Sequence, residues 1–232
     1  EIAKRAGGDR GCLGLFGPDT TPAPRKPERL IVMETQGWAA LDEATKTAFA
    51  ALLDRVAAQG VTILKRADHA WIESFERGIA TARETCGAIT SWENRWGQRG
   101  IVDNNPDGVS ERAKAVLAKA EQMTPQDYRS ALMTREEAQL RLRMIAPLAD
   151  AVISLACPGP APLWAGDEPG KPLAPRPTGD FVFNGPSSML YAPVVTVPML
   201  AVDGMPVGVQ LMGQQHQDAQ MTGIARWLDG LR

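Results

Sequence analysis

Residues 30–64 read LIVMETQGWAALDEATKTAFAALLDRVAAQGVTIL, and this stretch decides the fold class. Leu30–Met33 is a short apolar run typical of a buried strand. Asp42 has the side chain of a helix N-cap, and Gly60 is suited to end the helix that follows. Because Val61–Leu64 is again an apolar run, the order is strand, helix, strand. Such a βαβ unit favours a parallel pair of strands joined by a right-handed crossover.

The middle of the chain has helical periodicity. Apolar residues along one side of 68–92 predict one long helix, and the turn residues after it predict a loop over 94–108. Thr124 followed by proline is a start signal for another helix, which reaches at least Ile145. Cys86 falls on an apolar helix face and is predicted to lie in the core. A solvated surface is predicted for the charged residues of the last of these helices, namely Arg135, Glu136, Glu137, Arg141 and Arg143.

The last third of the chain alternates strand patterns with turns. The proline- and glycine-rich segment 158–180 predicts an irregular loop on the surface. Asp203-Gly204 is a hairpin signal between two β-branched runs. Together these patterns predict an α/β fold with a mixed β-sheet flanked by helices. The predicted elements are strands at Ala151–Leu155, 194–197 and 207–212 and a final helix at 218–231.

The chain is divided into four parts by these patterns. Its length of 232 residues corresponds to one large domain or two small ones. The predicted parts are a connector at 1–29, the βαβ unit at 30–66, a helical part at 67–148, and the strands, Pro-rich loop and final helix at 149–232.

Composition excludes several classes of protein. Hydrophobic residues make up 44% and charged residues 22% of the chain, which excludes disorder throughout. The formal net charge of −2 argues against a broad nucleic-acid surface. No apolar run is long enough to cross a bilayer, and no segment typical of a signal peptide is present. Because Cys12, Cys86 and Cys157 form no CxxC pair, we expect a reducing cytoplasm rather than a disulfide framework.

A family resemblance lies near the C-terminus. Residues 204–213 have the pattern G-x-P-x-G-x-Q-x-x-G, and Pro193–Pro198 is similar to the end of a second pattern, G-x-P-x-x-x-x-P. Tyr191 stands where the first glycine of that second pattern usually lies. These motifs resemble the end of the amidase signature enzymes, which include the A subunits of glutamyl-tRNA amidotransferases. The resemblance implies the C-terminal part of an amidase-signature-type fold.

Two weaker matches extend the resemblance along the chain. The helix motif Y-x-x-A-x-x-x-R of the family is similar to the stretch from Tyr128 to Arg135, and Asp150–Ile153 resembles its following strand. With these matches the resemblance covers nearly the whole chain but only about half of the family's length. We therefore interpret residues 1–232 as the C-terminal half of an amidase-like α/β domain.

The resemblance implies hydrolysis of carbon–nitrogen amide bonds by serine acyl-enzyme chemistry without a cofactor. In the family a Ser–cis-Ser–Lys triad attacks the carbonyl, and an oxyanion hole stabilises the intermediate. The triad lies in a Gly/Ser-rich segment and a preceding strand, and no such run occurs in this sequence. Gly185–Ser188 lacks the glycines that an oxyanion hole needs. We therefore expect the triad upstream of this chain, no catalytic residue within it, and a role in shaping the substrate pocket.

The same resemblance indicates substrate-binding residues before the second pattern. In the amidotransferases of this family an acid in this region recognises the amino group of glutamine, and Asp180 is the acid nearest to that position; the alternative is a solvated loop charge. Asn184 is predicted to hydrogen-bond the substrate amide, or else to stabilise a turn.

Aromatic residues in the same segment predict an apolar wall. Phe181, Phe183 and Tyr191 either line the substrate cavity or pack into the core. Because Tyr191 replaces a glycine, it would narrow a channel at that position. The sequence thus favours a small-molecule amide as substrate.

Three functions remain open from the sequence. The first is the C-terminal part of an amidase-type hydrolase, and the second is a non-catalytic binding or scaffold protein built from this half alone. The third is an unrelated α/β enzyme that uses Cys157, at a strand end, or another local group. Trp92 and Trp96 either gate a pocket, form an interface or cap the core. The isolated His69 and His216 do not make a zinc site, so we expect no metal.

The interpretation of the chain as half of a fold also predicts a protein partner. Cutting a sheet leaves one edge strand and one helix-packing face without neighbours, and exposed apolar patches associate. We therefore expect the chain to stay bound to its own N-terminal half or to form a homodimer. We expect no membrane partner, and the absence of an obvious tRNA-binding patch favours a free-standing hydrolase.

Overall fold

The computed structural model describes residues 22–163, 166 and 180–232. Within this part of the chain, five strands form one mixed sheet in the order β2-β1-β3-β5-β4. Strand β1 pairs in parallel with β2 and β3, and β5 pairs antiparallel with β3 and β4. The strands are β1 (Arg29–Val32), β2 (Thr62–Leu64), β3 (Ala151–Leu155), β4 (Val194–Val202) and β5 (Met205–Met212). The prediction of an α/β fold with a mixed sheet is confirmed, and so is the parallel βαβ pair.

Seven α-helices flank this sheet among the described residues. Short 3₁₀ turns lie at Gln36–Ala40, Arg66–Asp68 and Pro106–Gly108. The helices are α1 (Glu43–Ala58), α2 (Ala70–Gly78), α3 (Ala82–Asn104), α4 (Glu111–Glu121), α5 (Pro125–Ile145), α6 (Asn184–Leu190) and α7 (Asp218–Asp229). Across the described ranges, no helix is long and apolar enough to cross a membrane.

The boundaries of the predicted helix and loop between 68 and 108 are wrong. The helix is interrupted after Gly78 and restarts at Ala82, and α3 then continues through most of the predicted loop to Asn104. A residue distant in sequence holds this extension: Arg99 of α3 forms an ion pair with Glu121 of α4. The turn signal acts only beyond Asn104, where the structure has a short 3₁₀ turn.

Several local signals act as the sequence predicts. Asp42 caps α1 by accepting a hydrogen bond from the Thr45 backbone N–H at 2.6 Å. Gly60, after the same helix, has a φ of +79° that only glycine adopts readily. Thr124 and Asp127 form a capping box at the start of α5. Asp203 and Gly204 both have positive φ, as a two-residue hairpin turn requires.

Alternation along the strands divides the core between the two faces of the sheet. Leu30 and Val32 belong to the cluster that α1 and α7 cover. Ile31 and Met33 belong to the cluster that α2, α5 and α6 cover. The second face carries the helical layer that forms the candidate site.

The segments 1–21, 164–165 and 167–179 lie outside the described residues. The predicted connector at 1–29 and the predicted Pro-rich loop at 158–180 fall largely on them, as does Cys12. The division of the chain into four parts stays a prediction.

Candidate functional site

A cavity of about 540 Å³ opens between helices α3, α5 and α6. This volume lies within the range of small-molecule sites, roughly 300–1,000 Å³. The wall is mixed, with thiol, amide, hydroxyl, guanidinium and aromatic groups. Lining residues include Cys86, Gln98, Arg135, Asn184, Ser188 and Tyr191.

Buried contacts fix α6 against the sheet. The residue before the helix, Phe183, is fully buried in the core. Its carbonyl accepts a hydrogen bond from Nε2 of Gln210 at 2.7 Å, and the same Nε2 donates to the Leu155 carbonyl at 2.9 Å. Gln210 is itself buried in strand β5. The glutamine of the C-terminal motif thus joins the sheet to the start of α6.

The exposed face of α6 points polar groups at the cavity. Asn184 and Ser188 lie one helical turn apart on this face, and both are exposed. The Asn184 side chain makes no hydrogen bond within the described residues, so its amide is available to a ligand. On the other side of the helix, the Cys86 thiol donates to the Gly185 carbonyl at 3.3 Å.

Tyr191 ends α6 in the left-handed conformation, with φ 52° and ψ 34°. A non-glycine residue in this backbone conformation costs about 1–2 kcal/mol, which explains why glycine is usual here in the resembling family. The hydroxyl accepts a hydrogen bond from Nη1 of Arg135 at 2.7 Å. The guanidinium carbon lies 4.8 Å from the ring centroid. These contacts hold the ring of Tyr191 at the mouth of the cavity, where its side chain is 60% exposed.

Arg135 was predicted on a solvated surface, and this prediction is wrong. The residue is half-buried and lines the cavity. Its Nε is buried without a hydrogen-bond partner, and in the described part of the chain no carboxylate pairs with it. The family-like spacing from Tyr128 to Arg135 is the signal that could have found it, because residues seven apart share a helix face.

Cys86 lies in the same wall rather than deep in the core. Its side chain is half-buried. Burial raises the pKa of the thiol, and the positive charge of Arg135 opposes this rise. The thiol is therefore protonated at neutral pH and acts as a hydrogen-bond donor rather than a nucleophile.

Aromatic residues lie beside Glu93, which lines the cavity, and form a cluster that we call the aromatic rim. The rings of Trp92 and Tyr128 stack with centroids 5.5 Å apart. The Tyr128 hydroxyl donates to Glu93 at 2.7 Å, which raises the pKa of the tyrosine. Arg95 lies over Trp92 at 3.4 Å and beside Trp96 at 5.0 Å. Both tryptophans belong to helix α3, and a gating or interface role for them stays a prediction.

Three of the four predicted substrate residues meet at the cavity. Phe181, Asn184 and Tyr191 line it. Asp180 does not line it, because its carboxylate pairs with Arg83 at 2.9 Å and accepts from the Val182 N–H at 3.0 Å. For Phe183 the core-packing alternative holds.

The other candidate nucleophiles and ligands have structural partners. The Cys157 thiol donates to the Gly159 carbonyl at 3.2 Å. His69 caps α2 by accepting from the Trp71 N–H at 3.1 Å. Ser187 is buried inside α6, and its hydroxyl donates to the Asn184 carbonyl at 2.9 Å. Within residues 22–163 and 180–232, no group of three or more His, Cys, Asp or Glu side chains could hold a metal ion.

A buried carboxylate that sequence reasoning missed supports the neighbouring loop after β1. Glu76 of α2 is only 4% exposed. Its two oxygens accept hydrogen bonds from the backbone N–H groups of Glu34 at 2.7 Å and Thr35 at 3.2 Å. Burial raises the pKa of this carboxyl, against the lowering effect of those two N–H groups. Thr35 has a φ of 60°, so Glu76 holds a strained backbone in place.

Comparison with known proteins gives a match over most of the chain. A family model described as Amidase matches residues 18–222. A search of curated protein sequences finds no significant match.

Solved structures share the fold. A crystal structure of an amidase has a TM-score of 0.75 and 22% identity, covering 91% of this chain and 47% of the other. Allophanate hydrolase from Kluyveromyces lactis has a TM-score of 0.68 and 17% identity, covering 91% and 34%. A bacterial aryl acylamidase of the amidase signature family has a TM-score of 0.64 and 8% identity, covering 90% and 44%. At these identities the likeness shows the fold alone, and the chain spans less than half of each of these proteins.

Proposed function

The chain belongs to the amidase family, and on this premise we propose that it forms the substrate-binding part of an enzyme that hydrolyses amides. The observation that carries the proposal is the cavity between α3, α5 and α6, with free amide and hydroxyl groups on one wall. These groups can accept from and donate to a substrate amide. The aromatic side chains of Phe181 and Tyr191 contact the apolar part of the acyl group.

The proposal also includes the catalytic groups, which do not lie among the residues of this cavity. Serine acyl-enzyme chemistry needs an activated serine, and the sequence contains no Gly/Ser-rich run that resembles the family's nucleophile segment. We infer that a Ser–Ser–Lys triad is contributed by polypeptide outside residues 1–232. This chain then binds and orients the amide, and the triad attacks its carbonyl.

A partner and a location follow from this arrangement. The partner that supplies the triad is the N-terminal half of the same protein. A homodimer is the alternative way to cover the exposed faces of this half, but a second copy of residues 1–232 would bring no triad. The free thiols of Cys86 and Cys157 support a reducing cytoplasm as its location.

Binding and turnover by the 232-residue protein test the proposal. We expect butyramide to bind, observed by saturation-transfer NMR, without release of ammonia. Asn184→Leu should weaken this binding by at least about 3-fold, because a hydrogen bond to the amide is lost. Asn104→Leu is the matched control, since Asn104 lies at the end of α3 and does not line the cavity.

Three other outcomes would contradict parts of the proposal. If none of the amides tested binds, the proposal that this chain binds the substrate is wrong. Ammonia release by this chain alone, abolished by a thiol reagent, would favour the unrelated enzyme with Cys157. If the native polypeptide from the source has a mass of 25.0 kDa and no partner, the non-catalytic binding protein becomes the better interpretation; a mass near twice that value supports the proposal.

A further inference from the structure

Arg135 is a charged group in the cavity wall that the proposed function does not use. Two other arginines nearby have anionic partners. Arg83 pairs with Asp180 at 2.9 Å, and Arg141, further along α5, pairs with Glu137. Arg135 has only the neutral phenol of Tyr191 as a hydrogen-bond partner among the described residues.

The surroundings leave the guanidinium incompletely satisfied. Its bond to Tyr191 uses one N–H, and its Nε is shut off from solvent without an acceptor. A half-buried cation has lost part of its hydration, and this loss is compensated only by a well-placed anion or acceptor. The cavity is the open space beside this group, and the buried Nε cannot be reached from it. Nη2 makes no hydrogen bond with the described residues and is not buried, so a ligand in the cavity can accept from the Nη groups.

We propose that the cavity accepts amides whose acyl group carries a carboxylate and that Arg135 binds this carboxylate; this inference rests on the proposed function. A guanidinium presents a planar fork of donors that matches the two oxygens of a carboxylate. The Tyr191 hydroxyl accepts from Arg135, so its own proton is free to donate to the same anion. Asn184 and Ser188, on α6, then face the amide end of the ligand.

Among the residues that the structure describes, Glu93 is the acidic residue that lines the same cavity. Its carboxylate lies on the aromatic rim and accepts from the Tyr128 hydroxyl at 2.7 Å. Glu93 repels a ligand carboxylate and Arg135 attracts it, so the two charges favour one orientation of an anionic ligand in the cavity. A ligand with a positive end would have the opposite preference, which makes a cationic amide the informative competitor.

Three probes of equal chain length distinguish these possibilities. They are succinamate, which is anionic, butyramide, which is neutral, and 3-aminopropanamide, which is cationic. Calorimetric titration of the 232-residue protein should show succinamate binding at least about 10-fold more tightly than butyramide, because a bidentate charge-assisted contact is added. The cationic amide should bind no more tightly than butyramide.

Variants assign the preference to a residue. Arg135→Gln should reduce the advantage of succinamate over butyramide to less than about 2-fold. Arg135→Lys should keep part of this advantage, because lysine retains a positive point charge. Tyr191→Phe should lower the affinity for succinamate more than the affinity for butyramide, since only the anion uses the hydroxyl. Arg143→Gln, on the same helix but outside this cavity, is the control and should change nothing. Circular dichroism confirms that each variant is folded, and the lysine and phenylalanine variants carry the test if the glutamine variant is not.

The outcomes separate the inference from the proposed function. If butyramide binds as tightly as succinamate, the inference is overturned and the pocket role stands. If the advantage of succinamate survives in Arg135→Gln, the carboxylate is bound elsewhere and the inference is again wrong. If none of the probes binds, the proposed function itself fails. Tighter binding of 3-aminopropanamide would overturn the inference, because it would mean that Glu93 selects cationic amides and that Arg135 does not select anionic ones.

Discussion

Helices α1 and α3 are attached to the rest of the molecule by different means. Helix α1 buries Phe49, Leu52 and Val56 completely against the sheet. Helix α3 is longer but buries only one large apolar side chain, Ile89. Its other attachments are polar or aromatic, such as the stack of Trp92 on Tyr128. Helix α1 is therefore part of the stable scaffold, while α3 is a wall with open, polar surfaces on which a ligand can bind.

The largest effect is expected where the apolar attachment of α1 is removed. Phe49→Ala deletes a fully buried ring that also meets Trp38 edge to face, with centroids 5.9 Å apart. The free energy of unfolding should fall by about 3–5 kcal/mol, measured by urea denaturation. Ile101→Ala on α3 is the control, because that side chain is 61% exposed and should change stability by less than about 0.5 kcal/mol. Equal losses in the two variants would contradict the contrast between the helices.

This contrast also decides how much the sequence could predict. Helix α1 and the β4–β5 hairpin follow from local signals, since a cap, an apolar stripe and a turn pair all lie within the element itself. The extension of α3 to Asn104 does not follow, because Glu121, which binds Arg99 of this extension, is distant in sequence and acts through a polar contact.

The candidate site was predictable to a lesser degree. Phe181, Asn184 and Tyr191 were selected because of the family resemblance, and the structure gathers them at one cavity. Arg135 was assigned to solvent because neighbouring charges on α5 suggested a surface. Whether a helical charge faces water or a cavity depends on the angle at which the helix packs, and that angle is set by contacts across the whole helical layer.

A buried polar link tests how the cavity wall is joined to the sheet. Gln210→Leu removes the donor that serves the carbonyls of Leu155 and Phe183. We expect a loss of about 1–3 kcal/mol in the free energy of unfolding, because buried acceptors lose their partner. Amide hydrogen exchange in 184–190 should accelerate. Gln220→Leu is the control, because it removes a hydrogen bond to the Asp150 carbonyl at the other side of the sheet and should leave exchange in α6 unchanged. Faster exchange in α6 in both variants would show a global rather than a local effect.

The buried carboxylate of Glu76 predicts a dependence on pH. Burial raises its pKa in the folded protein above the ordinary value of 4.5, so the folded state binds the proton more tightly than the unfolded state. Its contribution to stability is therefore fully present below about pH 4.5 and is lost as the pH rises through the folded-state pKa. Relative to Glu76→Gln, the native protein should lose stability on raising the pH across this window. Urea denaturation at several pH values measures the difference, and Glu84→Gln on exposed α3 is the control.

A rise of the stability difference with pH would contradict this prediction for Glu76. It would mean that the N–H groups of Glu34 and Thr35 stabilise the carboxylate more than burial destabilises it. The pKa in the folded protein would then be lowered, and the carboxylate would hold the loop after β1 most firmly at neutral pH.

The smallest effect is expected at the aromatic attachment of α3, and it sharpens the comparison with α1. Trp92→Leu removes the stack on Tyr128 and the surface beneath Arg95. A pair of this kind contributes about 0.5–1.5 kcal/mol beyond burial, so the free energy of unfolding should fall by about 1 kcal/mol. Trp96→Leu is the matched control, because that ring is 73% exposed and should change stability by less than about 0.5 kcal/mol. A loss at Trp92 as large as that at Phe49 would mean that the rim is part of the scaffold, and a cavity bounded by so rigid a wall would admit only ligands that already fit it.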